Sequence, residues 1–512
     1  MLSGAWFRKR LADRLRRTIL SPMPALLASV IVFATSAGVL MLEILAGRLL
    51  APYVGVTLET YTGIIGTVLA GIALGAWWGG RQADARDPRT LLGPVIAVGG
   101  LLALACLPIV RLFGPALAGR NPVTIVALAL LGFFAPAAVL SAVTPMVVKI
   151  QLDSLRETGR TVGRLSAIST VGALFGTFVT GFVLLAAFPT PPIVIALGTA
   201  LVASGVGLWA WLPRQDTGSP TAVTLGAVGL AALGLFLGTP CEHETAYFCA
   251  TVLPDEAADG GRLLVLDTLR HSYVDLDDPT RLEFDYARDV VDVIDATFAP
   301  REPVDVLHIG GGGFTLPRYL AATRPGTDSL VLELDPELVA LARDELGLRT
   351  GPDLRIRTGD ARLGIADLPD DSRDVVIGDA FGGLAVPWHL TTTQFIDEIE
   401  RVLRPGGVYV LNMIDHPPLA FARAEAATLD AVFDDVAVVA PSERLDGTEG
   451  GNFVMVGGRV EDMRIAERLE VRDADDVIIS DTDLERFMGD APVLTDDYAP
   501  VDQLLEPQPA TG

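Results

Sequence analysis

The long apolar runs of this 512-residue chain are concentrated before residue 240. About seven stretches there are long enough to cross a bilayer, each on the order of 20 residues. They run approximately Leu26–Leu45, Tyr61–Gly80, Leu91–Ile109, Val123–Val147, Ser166–Phe188, Ile193–Leu212 and Val223–Leu237. So many such runs in series are hard to bury inside one soluble core, whereas lipid accepts them directly. A hydrophobic content of 50% and a mean hydropathy of +0.43 agree. The sequence therefore predicts a multi-pass α-helical membrane domain over 25–239, in the cell membrane, with the lipid bilayer as its partner.

Basic residues mark which loops face the cytoplasm. Arg8, Lys9, Arg10, Arg14, Arg16 and Arg17 crowd the N-terminus (1–24), and no small-residue cleavage site follows, so the first span is read as a retained anchor. Arg81, Arg86 and Arg89 form a second cluster, Lys149, Arg156, Arg160 and Arg164 a third, and Arg214 a weaker mark. Arg48 and Arg120 are scattered in the intervening loops. These marks place the N-terminus and the even-numbered exits inside. An odd number of spans then puts the soluble half outside; if the short, glycine-rich seventh stretch does not cross, that half is cytoplasmic. Cys241 and Cys249, in CEHETAYFC, either form a disulfide in an oxidising compartment or remain two thiols near a membrane surface. Gly71, Gly75 and Gly79 recur at four-residue spacing, and Gly172, Gly176 and Gly181 follow in the fifth span; small residues on one face allow close helix contact in lipid. Glu43 either faces protein or water in a functional role or sits at the interface beside Arg48.

The soluble half carries most of the formal charge of −24. It contains no lysine, which excludes nucleic-acid binding through a basic patch; its acidity either attracts a polycation or keeps the domain soluble. A juxtamembrane linker (240–262) leads into a strand pair, Leu263–Leu266 and Ser272–Leu276, and a helix, Phe284–Phe298, together spanning 263–300. Over 301–505, strands at Val304–Ile309, Ser329–Leu334, Leu354–Arg357, Asp374–Ile377 and Val408–Asn412 alternate with helices at Thr315–Thr323, Pro336–Leu346 and Thr393–Leu403. That alternation predicts a parallel sheet covered on both faces. Residues 506–512 form a tail.

The segment VDVLHIGGGGFTLPRYLAATRPGTDSLVLELDP, Val304 to Pro336, carries the chemistry. Glycines at a strand end, Gly310, Gly311, Gly312 and Gly313, let backbone approach a ligand. An acid at the next strand tip, Glu333, can hold ribose hydroxyls. Asp360, in RTGDAR, can accept from an adenine amino group, and Asp379, in DVVIGDAFGG, can orient an amine and stabilise positive charge. All lie at strand carboxyl ends, where such sheets bind ligands. Each acid also has a plainer role open to it, as a helix N-cap or a solvated loop residue.

From Arg262 to Met413 these residues resemble the spermidine synthase family of aminopropyltransferases. The shared stretches are LLVLD, EFDY (Glu283–Tyr286), VLHIGGGG, LVLELDPELVALAR, GDAR, DVVIGDAF and VLRPGGVYVLN. The whole chain is similar to bacterial proteins described as spermidine synthase fused to a transporter-like membrane region, through ILAGRLLAPYVGVTLETYTGIIG, LRHSYVDLDDP and LTDDYAPVD. The resemblance implies an α/β Rossmann-like domain of the S-adenosylmethionine methyltransferase type. It implies a small-molecule polyamine partner, decarboxylated S-adenosylmethionine (or S-adenosylmethionine) as co-substrate, and no metal; it allows a homodimer. In roles it implies that Asp379 deprotonates and orients the amine, while Tyr286 lines the acceptor pocket or serves as a plain core aromatic. Glu333 takes the ribose, Asp360 with Ala361 the adenine, and His271, where the family has glutamine, joins Glu283 beside the substrate.

Two departures bear on substrate. Gly313 stands where the family has an aspartate for the donor amine, and Gly382 where it has a second acid after the catalytic aspartate. Asp275, Asp277 and Asp278 either replace them or are solvated loop acids. Three functions follow as expectations: a membrane-bound aminopropyltransferase; another S-adenosylmethionine-dependent transferase, such as a methyltransferase; or a non-catalytic polyamine-binding or transport component.

Overall fold

A computed structural model of the chain describes residues 23–119, 121–152, 158–212, 220–237, 241–381, 386–458, 466, 469 and 475–505. The N-terminal basic cluster, Arg120, Arg156, Arg214, Gly382 and the 506–512 tail fall outside them. The chain divides into two compact units, Met1–Thr239 and Pro240–Gly512.

The first unit is helical. Among the described residues, six helices are long and apolar enough to cross a membrane: α1 (Ala25–Val54), α2 (Leu58–Ala85), α3 (Pro88–Phe113), α4 (Pro122–Gln151), α5 (Thr158–Ala187) and α6 (Thr190–Trp211). The seventh apolar stretch forms the shorter α7 (Pro220–Phe236), of 17 residues. Because α1 continues to Val54, Glu43 lies within a helix rather than at its end. A Cβ on Gly75 would fall 2.0 Å from the Ala138 carbonyl oxygen, and one on Gly172 would fall 2.4 Å from that of Phe33. These glycines set the close approach of α2 to α4 and of α5 to α1. Gly181, in contrast, meets nothing within 4 Å.

The second unit opens with a four-stranded antiparallel sheet in the order β1-β2-β3-β4. Its strands are β1 (His243–Glu244), β2 (Cys249–Pro254), β3 (Gly261–Leu266) and β4 (Leu269–Asp275). The expected strand pair is its second half. A disulfide joins Cys241 to Cys249 at the start of this sheet.

Helix α8 (Asp285–Thr297) leads into the main domain: β5 (Asp305–Ile309), α9 (Thr315–Thr323), β6 (Asp328–Glu333), α10 (Pro336–Glu345), β7 (Leu354–Thr358), α11 (Ala361–Ala366), β8 (Arg373–Gly378), α12 (Thr393–Val402) and β9 (Leu403–Asp415). Then come α13 (Ala420–Asp430), β10 (Asp435–Pro441), α14 (Ser442–Leu445), β11 (Gly451–Gly458), β12 (Asp476–Ser480) and α15 (Asp481–Met488). The sheet has eight strands in the order β12-β10-β11-β9-β8-β5-β6-β7. Strands β5 to β9 pair in parallel, but β10, β11 and β12 are antiparallel. The sheet is therefore mixed, which corrects the parallel reading.

Alternation along the strands explains the two covered faces. Val306, Val375, Ile377, Val408 and Val410 pack under α8, while Leu307, Ile309, Val376, Tyr409 and Leu411 pack under α12 and α13. The strand order reverses between β5 and β8, so the loops leaving them diverge and open a crevice at their carboxyl ends.

The glycine seam of the helical unit is directly testable. Gly75→Leu should lower the melting temperature of the detergent-solubilised chain, with overpacking costing about 2 kcal/mol. Gly66→Leu, at a position with nothing within 4 Å, should leave it unchanged. Equal melting curves for the two variants would refute the seam.

Candidate active site

Among the cavities that the described residues form at the β5/β8 crevice, two together take in the expected site residues. The first, about 620 Å³ with its mouth included, is lined by Gly310, Gly311, Gly312, Glu333, Asp360, Ala361 and Asp379 among apolar neighbours such as Leu332, Leu338 and Leu390. The second, about 1020 Å³ on the same basis, is lined by His271, Glu283, Tyr286, Asp379 and Asn412, with Arg270 and Arg444. Asp379 and His271 border both. Every site residue expected from the sequence thus lines one of these two spaces.

The glycine loop is shaped by what surrounds it. Gly310 has φ +94°, and a Cβ there would lie 2.3 Å from the Asp379 carbonyl oxygen. Gly312 has φ +50°, with the His271 ring 2.6 Å from where its Cβ would be. Only glycine fits both demands at once. The Gly313 N–H donates to Ser272 Oγ at 3.0 Å, and a Cβ at 313 would meet Ser272 Cβ at 2.7 Å. Strand β4 therefore occupies the space an aspartate at 313 would enter.

Glu333 Oε2 accepts from the Gly311 N–H at 2.7 Å and the Gly312 N–H at 3.4 Å, while Oε1 accepts from the Asp335 N–H at 2.9 Å. Burial pushes its carboxyl up, and these amide bonds oppose the shift. A carboxylate has further lone pairs, so ribose hydroxyls can still be accepted. Asp360 caps α11 through Oδ1, which accepts from the Arg362 and Leu363 N–H groups at 2.8 and 3.4 Å. Its Oδ2 lies 3.1 Å from His389 Nε2. The capping role is real, and the residue still borders the cavity.

Asp379 is half-buried, and its loss of contact with solvent raises its pKa to about 6. Asn412 Nδ2 donates to Oδ1 at 2.8 Å, and the Tyr286 hydroxyl donates to Oδ2 at 3.3 Å; both favour the charged form. Burial, with the Asp379 charge, pushes the Tyr286 hydroxyl well above its usual range, so it stays a donor. Tyr286 lines the second cavity, and its ring also stacks on Phe284 at 6.0 Å. Burial lowers the His271 pKa to about 4, leaving a neutral ring whose Nδ1 lies 2.8 Å from Ser272 Oγ. Glu283 is exposed and paired with Arg281 at 3.0 Å.

Asp275, Asp277 and Asp278 do not replace the missing acids. Asp275 Oδ1 accepts from the Asp277 and Asp278 N–H groups in a tight turn, and the three lie outside both linings. The sequence reading assigned no role to Asn412, Ser272 or Asn452. Asn412 closes the VLRPGGVYVLN stretch, so its strand-end position was the available signal. Asp496, in LTDDYAPVD, binds Arg362 at 2.5 Å, and Arg362 also donates to the His389 carbonyl at 2.8 Å. The C-terminal motif thereby steadies the Asp360 loop. No group of metal-binding side chains occurs among the described residues.

The same half of the chain is similar to known proteins. A family model described as a methyltransferase domain matches residues 307–411. The polyamine aminopropyltransferase of Vibrio vulnificus (strain CMCP6) is 33% identical over 157 residues, covering 30% of this chain and 51% of the relative. That of Chromobacterium violaceum is 30% identical over 142 residues, 28% of this chain and 53% of the relative. The crystal structure of a probable spermidine synthase from Corynebacterium glutamicum is 29% identical, with a TM-score of 0.46, over 51% of this chain and 97% of the other. The soluble half is similar to polyamine aminopropyltransferases. The chain spans about half the length of the curated relatives it matches.

The raised pKa of Asp379 has a consequence for stability. Its folded value, about 6, exceeds the ordinary 3.8, so its contribution is full below about pH 4 and is lost as pH rises through 6. Asp379→Asn should therefore stabilise the full chain at pH 7, by an amount on the order of 2 kcal/mol, and far less at pH 4. Melting curves at the two pH values check this; equal shifts at both would contradict it.

Proposed function

We propose that this protein transfers an aminopropyl group from decarboxylated S-adenosylmethionine to a small amine, with the diamine putrescine as the first acceptor to try. The observation that carries this is Asp379. It lies half-buried where two cavities meet, with a pKa raised to about 6 and two side-chain donors fixing its oxygens. An acid tuned in that way suits a proton acceptor at physiological pH.

The residues divide the work. The glycine loop and Glu333 would hold the nucleoside, with Asp360 and Ala361 at the base, between apolar walls. Asp379 takes a proton from the acceptor's ammonium and holds the amine at the edge of the second cavity. The amine lone pair then attacks the propyl carbon beside the sulfonium. The carbon–sulfur bond breaks, its electron pair passes to sulfur, and neutral methylthioadenosine leaves. Tyr286 and Asn412 keep Asp379 oriented, and the neutral His271 ring fills the passage between the cavities without adding charge.

Full-length protein supplied with decarboxylated S-adenosylmethionine and an amine should release methylthioadenosine. Asp379→Asn should reduce kcat by roughly 10²–10⁴-fold. The acid limb of the wild-type pH profile should bend near pH 6. Silence across a broad amine panel would end this reading.

One observation favours a second reading, the non-catalytic polyamine-binding or transport component. The Cys241–Cys249 disulfide fits an oxidising compartment, hence a soluble half outside the cytoplasm, where the donor is not made. Seven crossings would produce that orientation, with α7 as the last. A C-terminal alkaline phosphatase fusion discriminates. Enzymatic activity of the fusion supports the second reading; an inactive fusion, with Cys241 and Cys249 reduced in cells, supports the first.

A further inference from the structure

We propose that the acceptor is an amine bearing an oxyanion, carboxylate or phosphate, at the end remote from its reacting nitrogen, and not a diamine. The chemistry rests on the aminopropyl reading above; the specificity rests on the second cavity alone.

One wall of that cavity is a continuous polar chain. Asn412 Nδ2 donates to Asp379, and Asn452 Nδ2 donates to Asn412 Oδ1 at 2.9 Å. Arg444 Nη1 donates to the Asn452 carbonyl at 3.1 Å. The wall therefore runs from a carboxylate that suits an amine to a guanidinium that suits an anion. A second guanidinium, Arg270, lines the same cavity, with Cζ 5.9 Å from the Phe284 ring centroid. Gly451 makes room for this arrangement: at φ +154°, a Cβ there would fall 2.7 Å from Arg444 Nε.

The charges point the same way. Among the described residues, no carboxylate pairs with Arg270 or Arg444, although this half of the chain is strongly acidic. Many of its other arginines are paired, including Arg281, Arg288, Arg355, Arg362 and Arg404. Of the carboxylates lining the cavity, Glu283 is held by Arg281 and Asp285 by Arg288. That leaves Asp379 as the lining acid free of an ion pair. The position where the resembling family keeps its second acid is Gly382. A second ammonium would thus face uncompensated guanidinium groups, a like-charge arrangement that disfavours it. A carboxylate or phosphate would instead meet a planar fork of donors that matches its geometry.

The test uses the full chain in detergent. Calorimetry in the presence of methylthioadenosine compares putrescine with 4-aminobutyrate, which has the same carbon count and a carboxylate in place of one amine, and with O-phosphoethanolamine. At least one oxyanion-bearing amine should bind about tenfold or more tightly than putrescine, the effect of a charge-assisted guanidinium contact; which of the two is stronger identifies the oxyanion. Arg444→Glu should reverse the order, and Arg270→Glu should weaken it, with melting temperatures showing that both variants fold. Putrescine binding as tightly as either oxyanion amine overturns the inference, as does an order indifferent to both variants or no binding by any amine. Methylthioadenosine release is read separately. Its absence with every amine would sink the aminopropyl reading, while the binding order would still decide the selectivity of the cavity.

Discussion

The Asp379 N–H donates to the carbonyl of Ile309 at 2.9 Å, and the site depends on that one ladder contact between the ends of β8 and β5. It fixes the catalytic candidate beside the first residue of the glycine loop. A Cβ on Gly310 would then lie 2.3 Å from the Asp379 carbonyl oxygen, so only a residue without a side chain fits there. From the same pair of strand ends, one loop turns toward β6 and Glu333, the other toward β9 and Asn412. The cavity proposed for the nucleoside and the cavity proposed for the amine are therefore separated by the reversal of strand order itself. The chemistry sits where they meet.

Much of this was legible because the relevant signals are local. Glu333 and Asp379 each close a short apolar run, Asp360 follows a strand in which leucine and isoleucine alternate with arginine, and a parallel strand delivers its last residue to the same edge as its neighbours. The glycine run needed no tertiary information either. What could not be read was how each acid spends its oxygens. Glu333 ties down the Gly311 and Asp335 amides, and Asp360 caps a helix while facing His389, and both facts require the loops in space. The antiparallel strands β10 to β12 also escaped notice. Ala437 to Ala440 is uniformly apolar, without the alternation that separates strand from helix, and its pairing with Ile478 and Ile479 is set by distant sequence. Asn452 was invisible for the same reason: its contact with Asn412 exists only because β11 pairs against β9.

The helical unit shows the converse. Its composition made apolar helices legible, while the seventh stretch yielded only the short α7, and the geometry of helix contact had to come from the structure. Gly75 and Gly172 carry backbone approaches that a larger residue would block, while Gly181, equally apolar and equally placed in a span, carries none. Spacing identifies candidates for a helix seam, but which of them is used depends on the rotation of each helix against its neighbour.

Electrostatic economy links site to substrate. The soluble half is acidic, yet of the three carboxylates lining the second cavity Glu283 and Asp285 are each held by an arginine, which leaves Asp379. At 313, Ser272 on β4 fills the space of an acid. Asp379 is left as a half-buried carboxylate whose ionisation opposes its desolvation, a state the fold tolerates because Asn412 and Tyr286 donate to both of its oxygens. A fold that accepted this cost for one charge, and then left Arg444 and Arg270 without a carboxylate partner among the described residues, is arranged for a ligand of mixed sign. The positive end of such a ligand would meet Asp379, and its negative end would complete the pairing that the protein's own side chains do not.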